Sequence, residues 1–170
     1  MQEEIVNKVA QSGLITLDLE EFYPEGERIL YDIKDNLWEG LVLKEKDFRE
    51  FVKNNDWTQY KNKFIAVTCS SDAIVPTWAY MLLTSALQPF AKRVVFGDIK
   101  MLETILFLDA INKINPQEYT DTRIVIKGCS NKPVPESAYV ELISRLKPFA
   151  RSIMYGEACS TVPIYKKPKG

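Results

Sequence analysis

The residues of this chain best suited to chemistry are its three cysteines, Cys69, Cys129 and Cys159, each followed by serine and, a few positions on, by Val-Pro. Two of them lie in stretches that nearly repeat one another. Residues 64–98 (FIAVTCSSDAIVPTWAYMLLTSALQPFAKRVVFGD) align with residues 124–157 (IVIKGCSNKPVPESAYVELISRLKPFARSIMYGE) once one extra residue is allowed in the first loop. Cys69 then matches Cys129, Pro76 matches Pro135, Tyr80 matches Tyr139, and Gly97-Asp98 matches Gly156-Glu157. A repeat that copies a cysteine loop implies two like sites that the fold can bring together. Three thiolates with one further ligand suit zinc or an iron–sulfur cluster. Glu157 and Asp72 are the foremost oxygen ligands, followed by Asp98 and Glu136. Such a site needs the three sulfurs within about 4 Å of one another, because metal–sulfur bonds are about 2.3 Å long.

Other readings of the same loops stay open. A cysteine beside a helix N-terminus has a lowered pKa and can act as a nucleophile or sulfur carrier. Val75-Pro76 and Val134-Pro135 have the form of helix starts, with proline at the first helical position. Neither loop carries the arginine that an oxyanion-holding phosphatase or rhodanese loop needs, and no Cys-x-x-Cys pair is present. Ser70, Ser71 and Ser130 with the helix N-termini could form an anion nest, although no Walker or GxGxxG glycine pattern accompanies them. Finally, a free cysteine is often a small apolar filler at a strand end. In that case the chain is a non-enzymatic interaction protein with structural cysteines. No residue is singled out as catalytic, and whether the chain is an enzyme stays open.

The chain contains no histidine. That excludes Ser-His-Asp triads and Cys-His zinc sites and leaves acid–base work to Asp, Glu, Lys, Tyr or a thiolate. With 22 basic and 23 acidic residues the formal net charge is −1. No basic run is interleaved with aromatics as a nucleic-acid groove would require, and Lys166, Lys167 and Lys169 read as a solvated tail. No stretch reaches the roughly 18 apolar residues of a membrane span, and the acidic start lacks the apolar core of a signal peptide. The expected setting is therefore cytoplasmic, with reduced thiols.

The elements that must position these residues follow from periodicity. Within residues 1–170, read as one domain, residues 1–62 hold a helix (4–11), an antiparallel hairpin built from alternating runs at 14–22 and 29–33 around Pro24-Glu25-Gly26, and an amphipathic helix (47–54). From Phe64 onward strands at 64–68, 93–96, 124–127 and 152–155 alternate with helices at 76–87, 99–114 and 135–146. This rhythm predicts an α/β fold with a mainly parallel sheet made of two duplicated β-α-β units. The run from Trp78 to Leu83 is apolar without interruption. Its helix must be covered on both sides, either by the N-terminal segment or by a second copy in a homodimer.

The segments LITLDLEEFYPEGERILYDIKDNLWEGLVLKEKDFREF, FIAVTCSSDAIVPTWAYMLL, RIVIKGCSNKPVP and MYGEACSTVPIY together resemble the bacterial domain-of-unknown-function family 2480 over nearly the whole chain. The resemblance implies no activity. It implies an association with iron–sulfur assembly proteins as partners, in line with the metal or cluster reading.

Overall fold

Runs of β-branched and aromatic residues, bounded by Gly, Pro and Asp, form seven strands in the computed structural model, which describes residues 13–128, 131–157 and 159–168. They are β1 (Leu14–Asp18), β2 (Arg28–Asp32), β3 (Phe64–Thr68), β4 (Arg93–Phe96), β5 (Arg123–Lys127), β6 (Ser152–Glu157) and β7 (Ser160–Lys166). The described α-helices are α1 (Glu45–Asn54), α2 (Thr77–Leu87), α3 (Ile99–Ile111) and α4 (Glu136–Leu146). The fold is mixed α/β with mostly parallel strands, as expected. The helix expected at 4–11 lies outside the described residues, as do Cys129, Ser130 and Lys169.

The strands fall into two sheets, ordered β1-β5-β6-β7 and β2-β3-β4. Every pairing is parallel except that of β6 with β7. The expected hairpin of residues 14–22 and 29–33 is therefore corrected: both segments hold strands, but β1 pairs in parallel with β5 and β2 with β3. The physical reason is local. Each strand ends at an aspartate, Asp18 or Asp32, whose carboxylate accepts a backbone N–H two residues on and starts a short 3-10 turn. The turn at Asp18, which lies between β1 and β2, carries the chain out of the sheet where a hairpin would have doubled it back. Lys166, read as part of a tail, in fact ends β7, and Lys167 directly follows it.

Packing divides the chain into two compact units. One is Glu25–Ile105; the other joins the described parts of residues 1–24 and 106–170, so the division falls within α3. In the first unit, Ile65 and Val67 of β3 pack with Ala79, Leu83 and Leu87 of α2 and with Phe48 and Val52 of α1. Trp57 closes this core and donates its indole N–H to the Val52 carbonyl at 2.8 Å. Arg28 at the head of β2 ties α3 to the same unit, with Nε 2.6 Å from Oε1 of Glu103 and Nη2 3.2 Å from Oε2. In the second unit, Leu17, Ile124, Ile126 and Ile153 of the sheet pack with Ala138, Leu142 and Leu146 of α4 and with Phe107 and Ile111 of α3.

The two units run the same path at a constant spacing. Phe64 opens β3 as Arg123 opens β5, Thr77–Leu87 corresponds to Glu136–Leu146, and Arg93 opens β4 as Ser152 opens β6. Tyr80 meets Phe96 edge-on at 5.2 Å, and Tyr139 meets Tyr155 at 5.8 Å. Asn62 and Asp121, both at positive φ, donate their N–H groups to Phe90 and Phe149 respectively. Without any gap in the loop, this spacing sets Cys69 opposite Gly128, not Cys129. A side chain at 128 would require the Tyr139 ring to move, since a Cβ there would stand 2.5 Å from the Tyr139 hydroxyl oxygen.

Candidate functional site

Cys69 follows directly on β3 and is half-buried against the core of its unit. Its Sγ lies 3.3 Å from Oγ of Ser71. The adjoining Ser70 backbone donates its N–H to Oδ1 of Asp32 at 3.1 Å, so this amide is already used by the protein and does not point into an anion nest. Burial would raise the Asp32 carboxyl. Hydrogen bonds from Ser70 and Lys34 outweigh that effect and hold it below the usual carboxylate range. Tyr80, packed nearby, is shifted the other way, upward, by burial and by the neighbouring Cys69 and Asp32.

The other expected ligands each have their own local setting. Cys159 is an exposed thiol in the tight turn between β6 and β7, where Glu157 pairs with Ser160. Glu157 is exposed and makes an ion pair with Lys127 at 3.4 Å. Asp72 is exposed in the loop before α2. Asp98 caps α3, accepting the Met101 N–H at 2.8 Å, and Glu136 is an exposed residue in the first turn of α4. Cys69 belongs to one unit and Cys159 to the other. Among the described residues, no three Cys, Asp or Glu side chains come together so as to hold a metal. The prolines expected at the first helical position stand one place earlier: Pro76 and Pro135 are extended N-caps, and the helices open at Thr77 and Glu136.

The most developed surface feature lies on α2. Its inner side is buried through Ala79, Leu83 and Leu87, and Trp78 packs against Phe48 of α1 with the Arg49 guanidinium above its ring. The N-terminal segment thus supplies one of the two covers expected for the apolar run at 78–83. The opposite flank stays open: Met81 and Phe96 are each 68% exposed, and with Thr77, Tyr80, Thr84, Ser85 and Gln88 they line a shallow groove of about 640 Å³. Beside it runs β4, the edge of its sheet among the described residues. None of these groove residues is charged, and no charged residue occurs anywhere from Ala73 to Ala91 in a chain that is 26% charged.

The matching flank of the other unit differs in one respect. There β6 carries β7 as an antiparallel neighbour, and Ile164 of β7 joins Tyr139, Val140, Ile143 and Tyr155 around an apolar cavity of about 450 Å³. The uncharged run was readable in the sequence. That it ends beside Phe96 on a sheet edge was not, because edge position depends on strand order.

Comparison with known proteins gives a family and nothing more specific. A family model described as "Protein of unknown function (DUF2480)" matches residues 3–167. No curated protein and no solved structure matches the chain.

Proposed function

This chain belongs to the DUF2480 family, and because that description assigns no activity we propose a function from the geometry: a non-enzymatic interaction protein that self-associates through the uncharged groove of α2 and Phe96, along the β4 edge. The observation that carries this reading is the exposure of Met81 and Phe96 beside an edge strand whose counterpart, β6, already holds an antiparallel neighbour. Exposed apolar surface beside the edge of a sheet favours burial against another chain.

A second copy suits this flank for two reasons. Across a twofold axis, β4 meets its own copy running antiparallel, the direction that β7 takes against β6. The hydroxyls of Thr77, Thr84 and Ser85 and the amide of Gln88 each donate and accept, so they can pair with their own kind, and the residues lining the groove carry no charge to repel itself. Light scattering after size exclusion should give twice the 19.5 kDa of one chain. Met81→Lys and Phe96→Lys should each return the mass to that of one chain with the far-ultraviolet dichroism unchanged. A native protein that stays a single chain at concentrations of about 100 µM, well above a micromolar dissociation constant, would overturn the proposal.

A further inference from the structure

The aligned ends of β5, β6 and β7 gather positive charge that no ion pair among the described residues neutralises. Arg123 opens β5 and is in register with Ser152 of β6, which in turn pairs with Lys166 of β7. Register partners on adjacent strands project to the same face. Just outside the ladder, the Lys167 backbone N–H donates to the Arg151 carbonyl at 2.9 Å, fixing those two residues side by side. Arg123, Arg151, Lys166 and Lys167 thereby line one open cleft of about 740 Å³. The single acidic residue on its wall is Asp121, and none of the four cations forms an ion pair or side-chain hydrogen bond among the described residues.

The corresponding place in the other unit shows what a satisfied version looks like. Phe64 stands where Arg123 does and Lys92 where Arg151 does. Lys92 there donates to the Glu25 carbonyl at 3.0 Å and lies over the Phe64 ring, and the neighbouring Lys63 is paired with Glu27 at 3.0 Å. One cleft has spent its charge internally, and the other has two arginines and two lysines left over. Holding four like charges on one wall raises the free energy of the empty protein, and a multiply charged anion relieves it.

We propose that this cleft binds a small molecule carrying a chain of two or three phosphates. Its volume is that of a small-molecule site, too small for a macromolecular groove. Arginine forks match phosphate oxygens in a bidentate manner, and lysines add point charges along a phosphate chain. Met154, Pro163 and Tyr165 supply an apolar wall on which an attached organic group can rest.

Titration calorimetry with inorganic tripolyphosphate and with a nucleoside triphosphate tests this, both at about 0.1 M salt, where the Debye length is about 10 Å. One-to-one binding of both ligands is expected, weakened at least about tenfold in Arg123→Gln/Arg151→Gln and likewise in Lys166→Gln/Lys167→Gln. The second pair lies at an exposed strand end and leaves the core untouched. Equal affinity for the two ligands assigns recognition to the phosphates alone, and tighter binding of the nucleotide adds the apolar wall; both support the site. Absence of saturable binding, affinity unchanged in both double variants, or binding of duplex DNA without binding of either small ligand would overturn it.

Discussion

Cys69 and Cys159 share a sequence context but not a chemical setting. Cys69 is half-buried, with Ser71 Oγ as its neighbour, and Cys159 stands exposed in a hairpin turn. Thiol reactivity follows access as well as thiolate fraction. Under a chromogenic disulfide reagent, Cys159→Ser should remove the fastest phase and Cys69→Ser a slower one. A metal held by both thiols would instead protect both, with recovery of reactivity on chelation. The residue types for such a site were legible in the sequence, since cysteine, serine and Val-Pro recur openly. Their convergence was not legible. Sequence similarity pairs Cys69 with Cys129, yet the strands hold a spacing that makes Gly128 the counterpart of Cys69.

At the scale of elements, alternation at Ile15, Leu17 and Leu19 and again at Ile29, Tyr31 and Ile33 marked two strands correctly but said nothing about their partners. Period-two patterning reports a half-buried strand whichever neighbour it has. The aspartate that ends β1 caps a turn that leads the chain away from a hairpin, which alternation does not report. Helices were more readable, because their length and apolar faces are local properties. One long-range tie holds α3 to the sheet of its first unit: the fork of Arg28 on Glu103, with side chains only 11% and 18% exposed. Charge-assisted hydrogen bonds of this kind contribute about 1.5–3 kcal/mol. Glu103→Gln keeps the shape and loses the charge, so urea denaturation should show a loss in the lower part of that range. Glu103→Ala, which takes the carboxylate away from a largely buried guanidinium, should lose more. Equal and negligible effects of both would mean that the pair is a solvated surface contact.

For the molecule as a whole, a net charge of −1 conceals two surfaces of contrasting character. One is the groove of Thr77, Tyr80, Met81, Thr84 and Phe96, without a charge; the other is the cleft of Arg123, Arg151, Lys166 and Lys167, with four cations against Asp121. Composition averages these away, and only the strand order that aligns Arg123, Ser152 and Lys166 makes the second visible. The two surfaces must answer salt differently. Apolar association is insensitive to simple screening and is strengthened by excluded anions such as sulfate, whereas the attraction of separate charges falls as the Debye length shortens from about 10 Å at 0.1 M to about 3 Å at 1 M. Raising sodium chloride from about 0.1 M to about 1 M should therefore weaken tripolyphosphate binding by at least about tenfold while the sedimentation of the self-associated protein stays the same. Loss of self-association over that range, with phosphate binding unaffected, would reverse the assignment of charge to one surface and apolar burial to the other.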